Sequence, residues 1–168
     1  MKFKKVLSSS KGLTLIEVLL SLTILGIILM GSMKFFSQAY SYTNMNQKKT
    51  AAINVARNAL MYIEKDNFIV IRDTFENKTD EELSIYICKD KYSKFWKEDD
   101  IDSSCNPIKI NNVEYKVMIR ADKDELDKVN YNEIRSYYFP LTAYVTWTIN
   151  GKENSTVLEG AIKSEDIR

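Results

Sequence analysis

From Leu13 to Met33 nearly every residue is apolar or small, and Glu17 is the only charge. These twenty-one positions make a helix of roughly 31 Å at about 1.5 Å per residue, enough to cross a bilayer. Gly26 and Gly31 cost a water-exposed helix up to about 1 kcal/mol each relative to Ala. In lipid that cost shrinks, because no water competes for the backbone. Lys34 follows, with a stem that can lie along the helix while its amine reaches the interface. The helical period then continues. Phe35, Phe36, Ala39, Tyr42, Met45, Ala52, Ile53, Ala56, Leu60 and Ile63 recur mostly three and four apart, with Gln38, Asn46, Lys48, Lys49, Asn54, Arg57 and Asn58 between them. Neither Pro nor Gly interrupts this stretch. The pattern predicts one long helix from about Thr14 to Lys65, apolar all round in its first half and one-sided in its second.

Beyond the helix the period shortens. Phe68–Ile71 reads as a short strand or turn within a charged loop. Leu83–Cys88 alternates with Leu83, Ile85 and Ile87 on one face, as a half-buried strand does. Residues 89–112 read as a polar loop, and Glu114–Arg120 alternates again, with Tyr115, Val117 and Ile119 inward. Asp122–Asn130 suits either a surface loop or a helical turn. Leu141, Ala143, Val145, Trp147 and Ile149 alternate with hydroxyl residues and Tyr144 up to Asn150-Gly151, a pair that favours a type I′ turn. Folding there pairs Ile149 with Lys152, Trp147 with Asn154, Val145 with Thr156 and Ala143 with Leu158. One face then collects Leu141 to Ile149, Leu158 and Ile162, with core packing as the role of Trp147. A helix stripe against one face of an antiparallel sheet is an α+β layer of about four strands.

Charge gives the long helix an orientation. Lys2, Lys4, Lys5 and Lys11 precede the apolar run with no acid among them, which keeps the N-terminus in the cytoplasm. The full chain has a formal charge of +1; without those lysines, twenty basic face twenty-three acidic residues. That balance argues against general nucleic-acid binding. There is no His, which excludes Ser-His-Asp and Cys-His catalysis and the commonest zinc sites. Gly31-Ser32 is a poor match to an ordinary signal-peptidase site, and no Cys near the run offers a lipid anchor. Cys88 and Cys105 are a candidate disulfide in an oxidising compartment. Asp99, Asp100 and Asp102 have the chemistry of calcium ligands but lack the spacing and glycine of an EF-hand, and read as a solvated loop. Tyr92, Phe95 and Trp96 read as a cluster that anchors their loop. An acid in a membrane-length run costs roughly 2.5–3.5 kcal/mol, so Glu17 calls for a compensating partner.

The stretch Gly12-Leu13-Thr14-Leu15-Ile16-Glu17 resembles the type IV prepilin signal. In that signal a short basic leader ends in Gly, and a glutamate stands four residues after the first mature residue. The resemblance implies a pilin fold: a long N-terminal helix on an antiparallel sheet. It implies a leader at 1–12, a helix at 13–66 with its transmembrane half at 13–33, and an extracytoplasmic domain at 67–168. A prepilin peptidase would cut between Gly12 and Leu13 and methylate the Leu13 amine. Glu17 would attract a neighbouring subunit's Leu13 amine and set the register between them. The role implied is a structural subunit, a minor type IV pilin or a pseudopilin of secretion or competence, with no catalysis and no cofactor. Its partners would be other pilins or pseudopilins and an assembly platform with its ATPase. DNA binding would enter only through a competence role. The location implied is the inner membrane, single-pass with the N-terminus inside, and then a filament. Many major pilins have a proline where this chain has Lys34, and Gly26 matches a glycine where pilin helices loosen on assembly. The hairpin around Asn150-Gly151 is similar to the end of V-type minor pilins and I-type pseudopilins. The alternative is an extracytoplasmic binding module on an uncleaved anchor.

Overall fold

The computed structural model describes residues 12–78, 81–128 and 131–164. Helix α1 is continuous over Leu15–Glu64. The chain divides into two compact units, Met1–Met45 and Asn46–Arg168. In the first, α1 exposes its apolar side chains. In the second, Ala52, Val55, Ala56, Ala59 and Ile63 of α1 are buried in the core. The expected stripe has the right period but differs in membership: Ile53 and Leu60 are half-buried, whereas Val55 and Ala59 are buried. Three of the five buried positions are alanine, a side chain short enough to bring the helix backbone close to the sheet. At Gly160 an added Cβ would come within 2.7 Å of a Leu60 methyl group, so a larger residue there would have to displace the end of that side chain.

After α1 the chain turns at Lys65 and Asp66, whose N–H groups donate to the carbonyls of Tyr62 and Ile63. Phe68–Ile71, expected as a strand or turn, instead opens helix α2, Phe68–Asn77. The Asn67 side-chain oxygen accepts from the N–H groups of Ile69 and Val70 at 3.0 and 3.2 Å, the usual helix-start device. Phe68, Ile71 and Phe75 are the buried face of α2. Their spacing of three and four is helical, and the short window read in the sequence did not reach Phe75.

The sheet has seven strands: β1 (Leu83–Cys88), β2 (Lys91–Phe95), β3 (Cys105–Asn106), β4 (Ile108–Ile110), β5 (Val113–Ala121), β6 (Tyr138–Ile149) and β7 (Lys152–Lys163). The main order is β2-β1-β5-β6-β7, with β3 on β1 and β4 on β5, and every pairing is antiparallel. The 89–112 stretch, expected as a polar loop, holds β2, β3 and β4. Their outward charges hid the alternation, and the tight turns at Lys89-Asp90 and Asn111-Asn112 adopt positive φ at all four residues. Asparagine and aspartate favour that conformation, but Lys89 does not advertise it. The last hairpin has the register expected from its turn, with Ile149 opposite Lys152 and Ala143 opposite Leu158. Asn150 and Gly151 have φ of 50° and 78°.

The inner face of the sheet carries Leu83, Ile85, Tyr115, Val117, Ile119, Phe139, Leu141, Ala143, Val145 and Trp147, all buried. Ile149 and Leu158 are only partly buried. Tyr115 and Trp147 pack with ring centres 5.9 Å apart. The Tyr115 hydroxyl donates to the Lys48 carbonyl of α1 at 3.3 Å, and burial raises its pKa. Asp122 caps the helical turn Lys123–Leu126 (α3) through the Glu125 N–H, so the region from Asp122 is a turn of helix as far as it is described. A further turn, Tyr131–Ile134 (α4), leads to β6.

Cys88 and Cys105 are directly opposite each other on β1 and β3 and are joined as a disulfide. The bond closes the segment that carries β2. Tyr92 packs on Tyr62 at 5.4 Å and Trp96 on Phe75 at 5.0 Å, while Lys94 pairs with Asp66 at 2.5 Å. These aromatics anchor their segment to both helices. A loop of this length is worth about 3 kcal/mol in the chain-entropy account. Reduction, or the pair Cys88→Ser and Cys105→Ser, is therefore expected to lower stability by about that much. Urea unfolding of the full chain in detergent micelles, followed by Trp96 and Trp147 fluorescence, measures it.

Candidate functional site

The residues that carry chemistry lie at the start of α1. Gly12, Leu13 and Thr14 are not helical, and the helix begins at Leu15. Among the described residues, chain neighbours aside, nothing lies within 4 Å of where a Gly12 side chain would be, and Leu13 is 76% exposed. The Gly12–Leu13 peptide bond therefore sits in accessible, non-helical backbone, the form in which a peptidase takes a substrate. The earlier leader residues, including Lys2, Lys4, Lys5 and Lys11, lie outside the described residues.

Glu17 makes a local arrangement that the sequence reading passed over. Its Oε2 accepts from the Thr14 backbone N–H at 2.8 Å and from the Thr14 hydroxyl at 2.9 Å. In return, the Glu17 N–H donates to the Thr14 hydroxyl oxygen at 3.4 Å and to the Thr14 carbonyl at 3.1 Å. This is a capping box, with threonine before the first helical residue and glutamate three positions later. The Thr-x-x-Glu spacing at the head of an apolar run was the available signal. The positive end of the helix dipole also favours an acid in the first turn. Among the described residues, Glu17 Oε1 accepts no hydrogen bond. The acid thus has part of its compensation within its own chain, and one oxygen left for a further donor.

The hydroxyls behind Glu17 also bond within the helix. Ser21, Thr23 and Ser32 return their hydroxyls to the carbonyls of Glu17, Leu20 and Ile28, so each polar side chain in the run is satisfied within the helix. An 18-residue stretch of α1, none of it buried, is long and apolar enough to cross a membrane. Residues 7–33 match the family model of the prokaryotic N-terminal methylation motif. The chain carries the prepilin cleavage segment of type IV pilins and pseudopilins. No curated protein and no solved structure matches it.

In this pilin-like chain the motif covers both the Gly12–Leu13 bond and the Thr14–Glu17 cap. It implies processing by a prepilin peptidase and assembly into a pilus-type structure, as in a family whose members are generally non-enzymatic. The long helix on an antiparallel sheet is the α+β architecture of the pilin fold. The other candidates belong to the second unit. Cys88 and Cys105 hold the edge of the sheet. The Asp102 carboxylate accepts from the Ser104 N–H at 2.9 Å, and this bond to its own turn holds its pKa below the ordinary aspartate value. Among the described residues no three His, Cys, Asp or Glu side chains converge as metal ligands.

The capping box makes a local prediction. Thr14→Ala removes both hydroxyl bonds and is expected to cost about 1 kcal/mol at the helix start. Amide exchange at Glu17 and Val18 should then be about fivefold faster in micelles, since that energy is about a factor of five in an opening equilibrium, with the Val145 amide unchanged. Hydrogen exchange resolved by residue reads both.

Proposed function

We propose that this chain is a minor type IV pilin or a pseudopilin, a structural subunit that enters a filament after its leader is removed. The observation that carries the reading is the methylation motif over residues 7–33, placed directly on the junction between non-helical backbone and α1. A prepilin peptidase on the cytoplasmic side cuts Gly12–Leu13 and methylates the Leu13 amine. The subunit then waits in the inner membrane with the remaining run spanning it. The domain made of residues 67–168 lies outside, where an oxidising compartment suits the Cys88–Cys105 bond. Other pilins or pseudopilins are its neighbours, and an assembly platform with its ATPase draws it into the filament.

Glu17 acts at two stages in this reading. Before assembly, Oε2 is held by Thr14. On assembly, the free oxygen receives the cationic amine of a neighbour's Leu13. In hydrocarbon an unpaired charge is costly, so one axial offset between subunits is favoured over its alternatives. The capping bonds also give an uncleaved anchor a way to keep its acid without a neighbour. That favours the second reading, a membrane-anchored binding module.

Two measurements separate these. Intact-mass analysis of the membrane-extracted protein, made in cells with a prepilin peptidase, is expected to show a chain starting at methylated Leu13. A chain that keeps its leader supports the anchored module instead. In filament preparations, Glu17→Gln is expected to lose incorporation at least tenfold while Thr14→Ala, which keeps the carboxylate, still enters. Equal incorporation of Glu17→Gln and the unaltered chain would remove Glu17 from the assembly contact.

A further inference from the structure

Beyond Met33 the helix carries a second feature that membrane length does not require. Residues 35–47 contain no charge; Lys34 precedes them and Lys48 follows. Four rings stand in this interval, and the fold covers none of them: Phe35 and Phe36 are each 68% exposed, Tyr40 74% and Tyr42 56%. At about 100° per residue, the four rings occupy an arc of roughly 160° of the helix. Over residues 34–42 the opposite arc holds Lys34, Ser37, Gln38 and Ser41. Rings on one side, with an amine, hydroxyls and an amide on the other, match the mixed chemistry of a lipid headgroup layer, where aromatic side chains concentrate.

The axial spacing agrees. Glu17 and Phe35 are eighteen residues apart, about 27 Å along a helix, close to the hydrocarbon thickness of about 30 Å. Tyr40 and Tyr42 lie about 7–10 Å further, across a headgroup layer of about 5–7 Å on each side. Phenylalanine, with no polar atom, is at the hydrocarbon edge; tyrosine, whose hydroxyl needs a partner, is in the wetter layer.

We propose that Phe35, Phe36, Tyr40 and Tyr42 form an aromatic belt that seats the unassembled subunit at the outer headgroup layer of the membrane. The belt acts as a depth gauge. With it in place, Glu17 and its cap lie at the cytoplasmic edge of the hydrocarbon, where the Gly12–Leu13 bond is within reach of a membrane-embedded peptidase. The inference rests on the reading that residues 13–33 span the membrane. Its occupant is the lipid interface itself, in the state before neighbouring helices replace lipid.

Both native cysteines are joined, so an introduced cysteine is the only free thiol. Spin labels at Ile24→Cys, Phe36→Cys, Tyr40→Cys and Gln47→Cys of the full chain, in vesicles of phosphatidylethanolamine and phosphatidylglycerol, report depth. The readout is collision with oxygen, which favours lipid, against a water-soluble nickel chelate. Chelate collisions at 36 are expected to be several-fold fewer than at 47, with 40 intermediate and 24 the most protected. Labels at 36 and 40 as wet as 47, with 24 still protected, overturn the belt and leave the span standing. A wet label at 24 overturns the span and the belt with it. In a second measurement all four rings are replaced by alanine. The oxygen-to-chelate ratio at Met30→Cys should then shift at least twofold, and an unchanged ratio removes the anchoring role.

Discussion

An acid at the head of a membrane-length helix must find hydrogen-bond donors, and the start of α1 is arranged around that need. Thr14 supplies two donors to Glu17 Oε2, from its backbone and its hydroxyl. The same threonine ends the non-helical segment that contains the Gly12–Leu13 bond. One four-residue device therefore starts the helix and stabilises the acid. Because the donors are local, they are present before any partner arrives. A neighbour's amine would add to the cap at the second oxygen and need not displace it.

The two units of the chain handle the same helix by different physics. In the first, apolar side chains are exposed, and hydroxyls bond back to the helix's own carbonyls, a solution suited to a medium that offers no donors. In the second, alanines at 52, 56 and 59 bring α1 close to the sheet, and the larger Val55 and Ile63 fill the space between inward residues of β1, β5 and β6. Gly160 opposite Leu60 continues this preference for small residues on the sheet side. The change from hydroxyl-rich to alanine-rich along one unbroken helix records a change of surroundings.

The disulfide and the aromatics of β2 address a different weakness. β2 is short, carries Lys91 and Lys94, and stands at the end of the main strand order. Pairing with β1 alone gives such a strand little hold. The Cys88–Cys105 bond closes its segment covalently, and Tyr92 and Trp96 hold it to Tyr62 and Phe75.

The parts legible in the sequence are those whose signals are local or strictly periodic. The apolar run, the long helix, the prepilin-type motif and the last hairpin are all readable. So is the hairpin's register, because Asn150-Gly151 dictates a two-residue turn and alternation then assigns every partner. The capping box was equally local and was missed only because Glu17 was read as a membrane charge before it was read as a helix start. Tertiary structure alone decided what depends on distant partners. Val55 and Ala59 join the core because the sheet reaches them, a matter of helix rotation that periodicity leaves loose by one position. β2, β3 and β4 form because β1 and β5 offer them edges, although each is short and their turns include Lys89 at positive φ, a residue with no turn signature. Cross-strand pairing and the choice of helix face are collective outcomes, set by which surfaces can be buried together.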